Sequence, residues 1–214
     1  MQLLITCNGE HINTHCPDLG RCTDRLSDKG ILESLRLAHR LKDQHFDFIF
    51  CSDFGFRRTS TDLIVEALRH KQFQIIVDPN MREKDAEICT QLTKDTLIKH
   101  SENNPEDSSI LSRLFIKNDH LPSHTTTNET QEQVLARAKQ VIYDLLHHYP
   151  SEAHILLVGN PIINSFLISI LLGKKDYLGR ITSPCSLSSY RSVQERWIEE
   201  SFNMREHLYG NSSF

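Results

Sequence analysis

Short apolar runs alternate along the chain with longer segments in which apolar residues recur at helical spacing. The short runs are rich in Leu, Ile, Val and Phe and end at polar or turn residues, which is typical of buried strands. The predicted strands are 2–6, 46–51, 73–77 and 154–158, with one late strand around 189–193 or 197–202. The first predicted helix opens at Ser27, and three further helices are predicted at 58–68, 129–148 and 162–172. This alternation predicts an α/β protein, a three-layer α/β/α sandwich around a mostly parallel sheet.

The first predicted helix has the clearest start. Ser27 can cap it by accepting a hydrogen bond from the backbone of the first turn. Behind this cap, apolar residues follow at the spacing of an amphipathic helix: Ile31, Leu32, Leu35, Leu37, Ala38 and Leu41.

The stretch 84–127 has no clear period. Ser, Asn, Asp and His accumulate there, and residues 103–108, Asn-Asn-Pro-Glu-Asp-Ser, are typical of an exposed loop. Sheets of this class bind their ligands at the carboxyl ends of the strands. We therefore expect 84–127 to be an insertion that covers the cleft of a single domain spanning 1–214.

Composition and charge exclude several classes of protein. A chain of 214 residues with 38% hydrophobic residues can bury one substantial core, and its net charge of −4 argues against a nucleic-acid-binding protein. No apolar run approaches the roughly 18 residues that span a bilayer. The chain also starts directly with a strand, without a secretory signal. We therefore expect a cytoplasmic protein that binds neither nucleic acid nor membrane.

The six cysteines show no C-x-x-C pair and are expected to be free thiols. Cys16 and Cys22 lie near His11 and His15, but this spacing matches none of the usual zinc motifs. We expect neither a metal nor a cofactor.

Two asparagines occupy corresponding places, each at the end of a buried strand. Asn8 precedes Gly9, and Asn160 precedes Pro161. Asparagine often caps the helix that follows such a turn, and proline suits the first helical position, so capping alone can explain both residues.

Four stretches of sequence carry a resemblance to a known family. Residues 7–13, Cys-Asn-Gly-Glu-His-Ile-Asn, stand where that family has Arg-His-Gly-Glu-Arg-Val-Asp, and 24–30 matches its helix opener. Residues 48–54, Phe-Ile-Phe-Cys-Ser-Asp-Phe, match the family's strand followed by Ser-Ser-Pro-Leu, and 59–61, Thr-Ser-Thr, stand in place of its Gln-Thr-Ala. Residues 156–160, Leu-Leu-Val-Gly-Asn, stand in place of its Val-x-His-Gly. Over its whole length the chain resembles the histidine phosphatase (phosphoglycerate mutase-like) superfamily. Residues 183–187, Ser-Pro-Cys-Ser-Leu, are most similar to the eukaryotic branch that contains the suppressor-of-T-cell-receptor-signalling phosphatases.

The resemblance implies a phosphotransfer site whose reacting groups have been replaced. In the family, one histidine attacks phosphorus, a second histidine and two arginines bind the phosphate, and a glutamate protonates the leaving oxygen. In this chain the attacking histidine becomes Asn8, the second histidine becomes Asn160, and the arginines become Cys7 and Phe56. The degenerate pocket positions are therefore Cys7, Asn8, Glu10, Phe56, Glu83 and Asn160. The resemblance thus implies that conventional catalysis is lost, because the lone pair of an amide nitrogen is delocalised and cannot attack phosphorus.

Other side chains could restore part of such a site. Cys7 could act as the nucleophile, although a regular strand pleat would direct it away from Asn8. His11 lies on the following loop, where a surface position without a catalytic role explains it better. Arg57 and Arg58 could bind an anion at the rim, or lie in the exposed first turn of a helix. Glu83 is the candidate for the glutamate that protonates the leaving oxygen; without that reaction it is expected to be a solvated carboxylate.

Three hypotheses for function follow. The first is a catalytically inactive histidine-phosphatase-like protein, a pseudophosphatase that binds a partner protein or forms a homodimer. The second is a module that binds a small anion or a neutral metabolite in the remnant pocket. The third is a divergent phosphomonoesterase with a non-standard nucleophile. The loss of both arginines argues against a phosphorylated ligand.

Overall fold

The computed structural model describes residues 1–10, 26–53, 58–69, 71–83, 129–194 and 196–209. The strands are β1 (Gln2–Cys7), β2 (Phe48–Cys51), β3 (Gln74–Val77), β4 (His154–Gly159), β5 (Leu187–Val193) and β6 (Arg196–Met204). The helices are α1 (Asp28–Leu41), α2 (Arg58–Ala67), α3 (Gln131–His148) and α4 (Pro161–Leu171). Ser27 caps α1 as predicted, since its side chain accepts a hydrogen bond from the Gly30 backbone at 3.0 Å.

The strands form a six-stranded sheet in the order β3-β2-β4-β1-β5-β6. The four strands from β3 to β1 are mutually parallel, and β5 and β6 are antiparallel to their neighbours. The predicted fold class, an α/β sandwich with a mostly parallel sheet, is confirmed. The register pairs Cys7 with Gly159, so β1 and β4 end side by side.

Both faces of the sheet are covered by helices. On one face, Ile155 and Leu157 pack with α3 and α4; on the other, Leu156 and Val158 pack with α1 and α2. Successive residues of β4 therefore point into two different cores. This explains why its sequence is continuously apolar, as buried parallel strands usually are.

The late part of the chain differs from the expectation of one strand. Both expected ranges are strands, and β5 and β6 pair as an antiparallel hairpin. These strands alternate buried or half-buried with exposed residues, so their apolar pattern is weak. The connection also lacks a glycine signal, since Gln194 supplies the positive φ of 48°.

The apolar set of α1 is divided between core and surface. Leu37, Ala38 and Leu41 are buried in the core, as an amphipathic helix requires. In the first half of the helix, Glu33 and Ser34 are buried instead, and the apolar residues there are exposed. Those exposed residues are Ile31, Leu32 and Leu35. The reason is that this half of α1 packs against the polar loop that follows β1.

The predicted insertion at 84–127 lies outside the described residues, as do His11, His15, Cys16 and Cys22. Among the helices of the described part, none combines the length and apolar character needed to cross a membrane.

The contact between α1 and the loop after β1 predicts the effect of a substitution at Gly30. A Cβ atom at Gly30 would lie 2.0 Å from the Glu10 carbonyl oxygen and 2.7 Å from its nitrogen. Helix propensity alone would make the Gly30→Ala variant more stable than the wild type by about 1 kcal/mol of unfolding free energy. We predict that Gly30→Ala instead lowers the free energy of unfolding by at least about 2 kcal/mol in urea denaturation, because backbone atoms cannot yield easily.

Gly173→Ala is the matched control for this variant. Its added Cβ meets no atom of the described residues within 4 Å, and only the positive φ of 64° opposes it, at about 1 kcal/mol. A Gly30→Ala protein as stable as the wild type would show that the loop does not pack this closely.

Candidate functional site

The ends of β1 and β4 bring Asn8 and Asn160 together. Asn8 Nδ2 donates to the Gly159 carbonyl oxygen at 3.0 Å and to Asn160 Oδ1 at 3.3 Å. Each asparagine is only 4% exposed. The two positions that the resemblance assigns to catalytic histidines therefore form a buried pair of amides.

One atom of each amide is left over in this arrangement. Within the described residues, Asn8 Oδ1 and Asn160 Nδ2 have no hydrogen-bond partner. Asn160 occupies the N-cap position of α4, but its side chain makes no capping hydrogen bond. The capping explanation is therefore wrong for Asn160, because its side-chain oxygen accepts a hydrogen bond from Asn8.

Glu83 binds the N-terminus of α4 instead. Its two carboxylate oxygens accept hydrogen bonds from Ile162 N at 3.1 Å and Ile163 N at 3.2 Å. Pro161 has no backbone N–H, and Asn164 N donates to the Asn160 carbonyl oxygen at 2.9 Å. Helix N-termini bind anions through these first N–H groups. In this protein Glu83 is the anion, so the expectation of a solvated carboxylate is wrong.

The backbone donors after β1 are also occupied. Asn8 N donates to the Gly159 carbonyl oxygen at 3.1 Å, and Gly9 N donates to Ser60 Oγ at 3.0 Å. Glu10 N donates to Glu33 Oε2 at 3.1 Å. Each backbone N–H from residue 8 to 10 is therefore bonded within the protein.

Glu10 serves the junction between this loop and α1. Its carboxylate accepts hydrogen bonds from Ser27 Oγ at 3.0 Å and from Lys29 Nζ at 2.6 Å. This contact raises the pKa of Lys29. Lys29 also lies 3.5 Å from Glu33, whose pKa is raised by its burial. Glu10 thus has structural partners that account for its position.

Cys7 is buried in the core at 2% exposure. Burial, assisted by the charge of Glu83, raises the pKa of the Cys7 thiol well above its ordinary value. Cys185 N donates to the Cys7 carbonyl oxygen at 3.1 Å, and burial raises the pKa of Cys185 to about 12. A nucleophilic cysteine needs an accessible thiolate, which this environment opposes.

For the three remaining predicted site residues the structure gives little or no information. Phe56 and Arg57 lie outside the described residues, and Arg58 is described only as the first residue of α2.

Two further features of the site were not predicted from the sequence. The first is an effect of Pro161: besides suiting the first helical position, it leaves the end of α4 with one N–H group fewer for binding an anion. Arg82 forms a bidentate ion pair with Asp53, one bond being Arg82 Nε to Asp53 Oδ1 at 2.7 Å. This pair joins the segments after β2 and β3, and the hydrogen bond from Arg82 lowers the pKa of Asp53. Nothing in the spacing of the two residues signals it.

Comparison with known proteins agrees with this architecture. The family model of the histidine phosphatase superfamily (branch 1) matches residues 9–205. A relative from Erwinia tasmaniensis, named probable phosphoglycerate mutase GpmB, is 22% identical over 183 residues, covering 84% of this chain and 79% of that protein.

Two solved structures of similar fold are phosphatases. A phosphoserine phosphatase from Entamoeba histolytica, in complex with 3-phosphoglyceric acid, has a TM-score of 0.67 at 17% identity and covers 97% of this chain and 98% of its own. A mycobacterial glucosyl-3-phosphoglycerate phosphatase complexed with VO3 has a TM-score of 0.66 at 16% identity, covering 95% and 99%. At these identities the likeness establishes the fold.

The contact of Glu83 with α4 predicts a loss of stability on its removal. Glu83→Ala leaves two backbone N–H groups without their acceptor, which costs about 1–3 kcal/mol of unfolding free energy in urea denaturation. Glu66→Ala is the control, because the Glu66 side chain is 67% exposed and pairs with Arg69 on the surface. That control should change stability by less than about 0.5 kcal/mol. Equal effects of the two variants would contradict the helix contact.

The burial of Cys7 and Cys185 predicts resistance to alkylation. At pH roughly 9 an unperturbed thiol is extensively ionised, whereas these two remain protonated because their pKa values are raised. We predict no carbamidomethylation of either residue by iodoacetamide in the native protein, measured by peptide mass spectrometry, and complete reaction in urea. Rapid alkylation of Cys7 in the native protein would instead support the hypothesis that Cys7 is a nucleophile.

Proposed function

The chain belongs to the histidine phosphatase superfamily, and we propose that it is a member without catalytic activity that acts by binding protein. The observation that carries this proposal is the internal pairing of the polar groups at the strand ends. Asn8 and Asn160 bond to each other where imidazoles would serve catalysis. A phosphoryl group would find neither a nucleophile nor the imidazole that steadies its charge.

The backbone of the site supports the same conclusion. Phosphate sites in proteins rely on N–H groups and cationic side chains directed at the anion. Pro161 lacks an N–H, and the next two N–H groups of α4 donate to Glu83. A phosphate at this helix end would have to displace the carboxylate and meet its negative charge. Like charges in a partly buried site repel strongly.

The alternative of a divergent phosphomonoesterase has less support. Its described candidate nucleophile, Cys7, is buried with a raised pKa. The names of the relatives describe enzymes that act on phosphorylated compounds. The hydrolysis assay described below therefore tests this alternative as well as the leading proposal.

A second candidate function, binding of a small neutral ligand, has one observation in its favour. Asn8 Oδ1 and Asn160 Nδ2 offer one acceptor and one donor, both buried and without a partner in the described part of the chain. This pair suits a neutral group such as a carboxamide, which offers a donor and an acceptor, better than a phosphomonoester dianion, which carries only acceptors and two negative charges. Thermal-shift titration with acetamide and with inorganic phosphate separates the two. Stabilisation by acetamide that Asn8→Ala abolishes would support a neutral ligand, and stabilisation by phosphate alone would support an anion.

We also propose that the chain lies closest to the eukaryotic branch that contains the suppressor-of-T-cell-receptor-signalling phosphatases. Its support is the Ser-Pro-Cys-Ser-Leu segment at 183–187, which packs beside the site. Within it, Cys185 has a positive φ of 51° and donates its N–H to the Cys7 carbonyl oxygen.

The central prediction concerns hydrolysis of phosphomonoesters. The wild-type protein should hydrolyse p-nitrophenyl phosphate and a panel of phosphorylated metabolites no faster than a no-protein blank. A variant carrying Cys7→Arg, Asn8→His, Phe56→Arg and Asn160→His should gain turnover, and Pro161→Gly should raise it further by restoring an N–H donor. Release of phosphate is measured colorimetrically over a range of pH.

The control for this gain is the same variant with Asn8 retained. It carries every restored phosphate contact but no nucleophile, so it should stay at the blank rate. Removing the nucleophile from a well-studied hydrolase costs about a million-fold in turnover. Wild-type turnover that Asn8→Ala or Cys7→Ser abolishes would refute the proposed function.

A further inference from the structure

The first half of α1 exposes a stripe of large apolar side chains. Ile31 is 40% exposed, Leu32 39% and Leu35 41%. The opposite face of the same half-helix is buried through Gly30, Glu33 and Ser34. The stripe is therefore separate from the hydrophobic core and lies on the solvent-exposed face of a regular, capped helix.

Charged and polar residues continue the same face at both ends of the stripe. At about 100° per residue, Asp28, His39 and Lys42 fall within the arc that holds the three apolar residues. All three are exposed, and Lys42 keeps helical backbone angles just after the last residue of α1. Lys42 Nζ lies 3.0 Å from His39 Nε2. The face is therefore acidic at its start, apolar in its middle and basic at its end.

This order of charges is complementary to itself. Leu35 lies midway between Asp28 and Lys42 along the helix. When two such helices lie antiparallel with Leu35 at the two-fold axis, each Asp28 faces the Lys42 of the other copy. Ile31 and Leu32 then pack on the neighbouring helix between these charges. An isologous contact of this kind is what a symmetric homodimer requires.

We propose that this face of α1 is a homodimer interface, in which a second copy of the chain packs its own α1 antiparallel against it. The proposal rests on the proposed function for its premise that the fold acts through protein contacts, and it names the surface and the partner. Opposed helix dipoles add to the attraction of Asp28 for Lys42. Because the apolar stripe is short, the interface has the size of a weak, reversible association.

The first experiment measures self-association by sedimentation equilibrium from roughly 5 µM to roughly 500 µM. We expect the wild type to move from monomer to dimer over this range. Leu35→Glu places two like charges at the axis and should weaken the dimer by about 100-fold or more. Leu146→Glu is the control, since Leu146 is a leucine of similar exposure, 46%, on α3. Circular dichroism checks that each variant is folded.

Charge reversal tests the antiparallel register. Asp28→Lys alone and Lys42→Asp alone should each weaken the dimer, because each sets like charges face to face. The double variant restores both pairs with reversed sign and should recover most of the lost association. A loss of folding cannot produce such a recovery.

Disulfide trapping tests the position of the axis. Leu35→Cys should give a covalent dimer on mild oxidation, in excess of that formed by the wild type. Arg40→Cys, exposed on another side of the same helix, should not.

Four outcomes overturn the proposal: a monomer at every concentration, a dimer insensitive to Leu35→Glu, a double variant weaker than both single ones, and trapping through Arg40→Cys rather than Leu35→Cys. The phosphatase assay is independent of these. A dimeric protein with wild-type turnover would refute the proposed function alone, and an inactive monomer would refute the dimer alone.

Discussion

The hydrogen bond between the Asn8 and Asn160 side chains is the interaction on which the proposed function depends. It joins the ends of two adjacent parallel strands at the place where sheets of this class bind ligands. Imidazoles at these positions could accept and release a phosphoryl group. Amides can only donate and accept hydrogen bonds, and these two do so with each other. The proposed function rests on this difference between an imidazole and an amide.

That framework is held by side chains that bond to backbone at the same edge of the sheet. Asn164 Nδ2 donates to the Thr6 carbonyl oxygen at 3.0 Å and to Thr182 Oγ1 at 3.2 Å, which links α4 to β1. Gly159 permits this approach, since a Cβ there would lie 2.0 Å from Asn164 Oδ1. Glu83 extends the same pattern by holding the first N–H groups of α4. Side chains of the protein itself therefore bond the first N–H groups of α4 and the end of β1, whereas Asn8 Oδ1, Asn160 Nδ2 and Asn164 Oδ1 have no hydrogen-bond partner within the described residues.

The order of the elements could be predicted because buried strands and buried helix faces produce recognisable apolar patterns in the sequence. The residues of β4 are apolar without interruption since they enter two cores, and Ser27 caps its helix by a local contact. The adjacency of Asn8 and Asn160 followed from the family resemblance. The contact of Glu83 with Ile162 spans 79 positions and depends on the path of a loop, which no local pattern reports. Helical spacing likewise revealed an apolar set on α1 without showing that part of it faces solvent.

A crystal structure of the protein soaked with tungstate tests the central claim most directly, because tungstate mimics the charge and shape of phosphate. We expect no oxyanion beside Asn8 and Asn160. We also expect Glu83 to remain on the backbone of Ile162 and Ile163. An oxyanion bound to those two N–H groups, with Glu83 displaced and an arginine turned towards it, would contradict the claim.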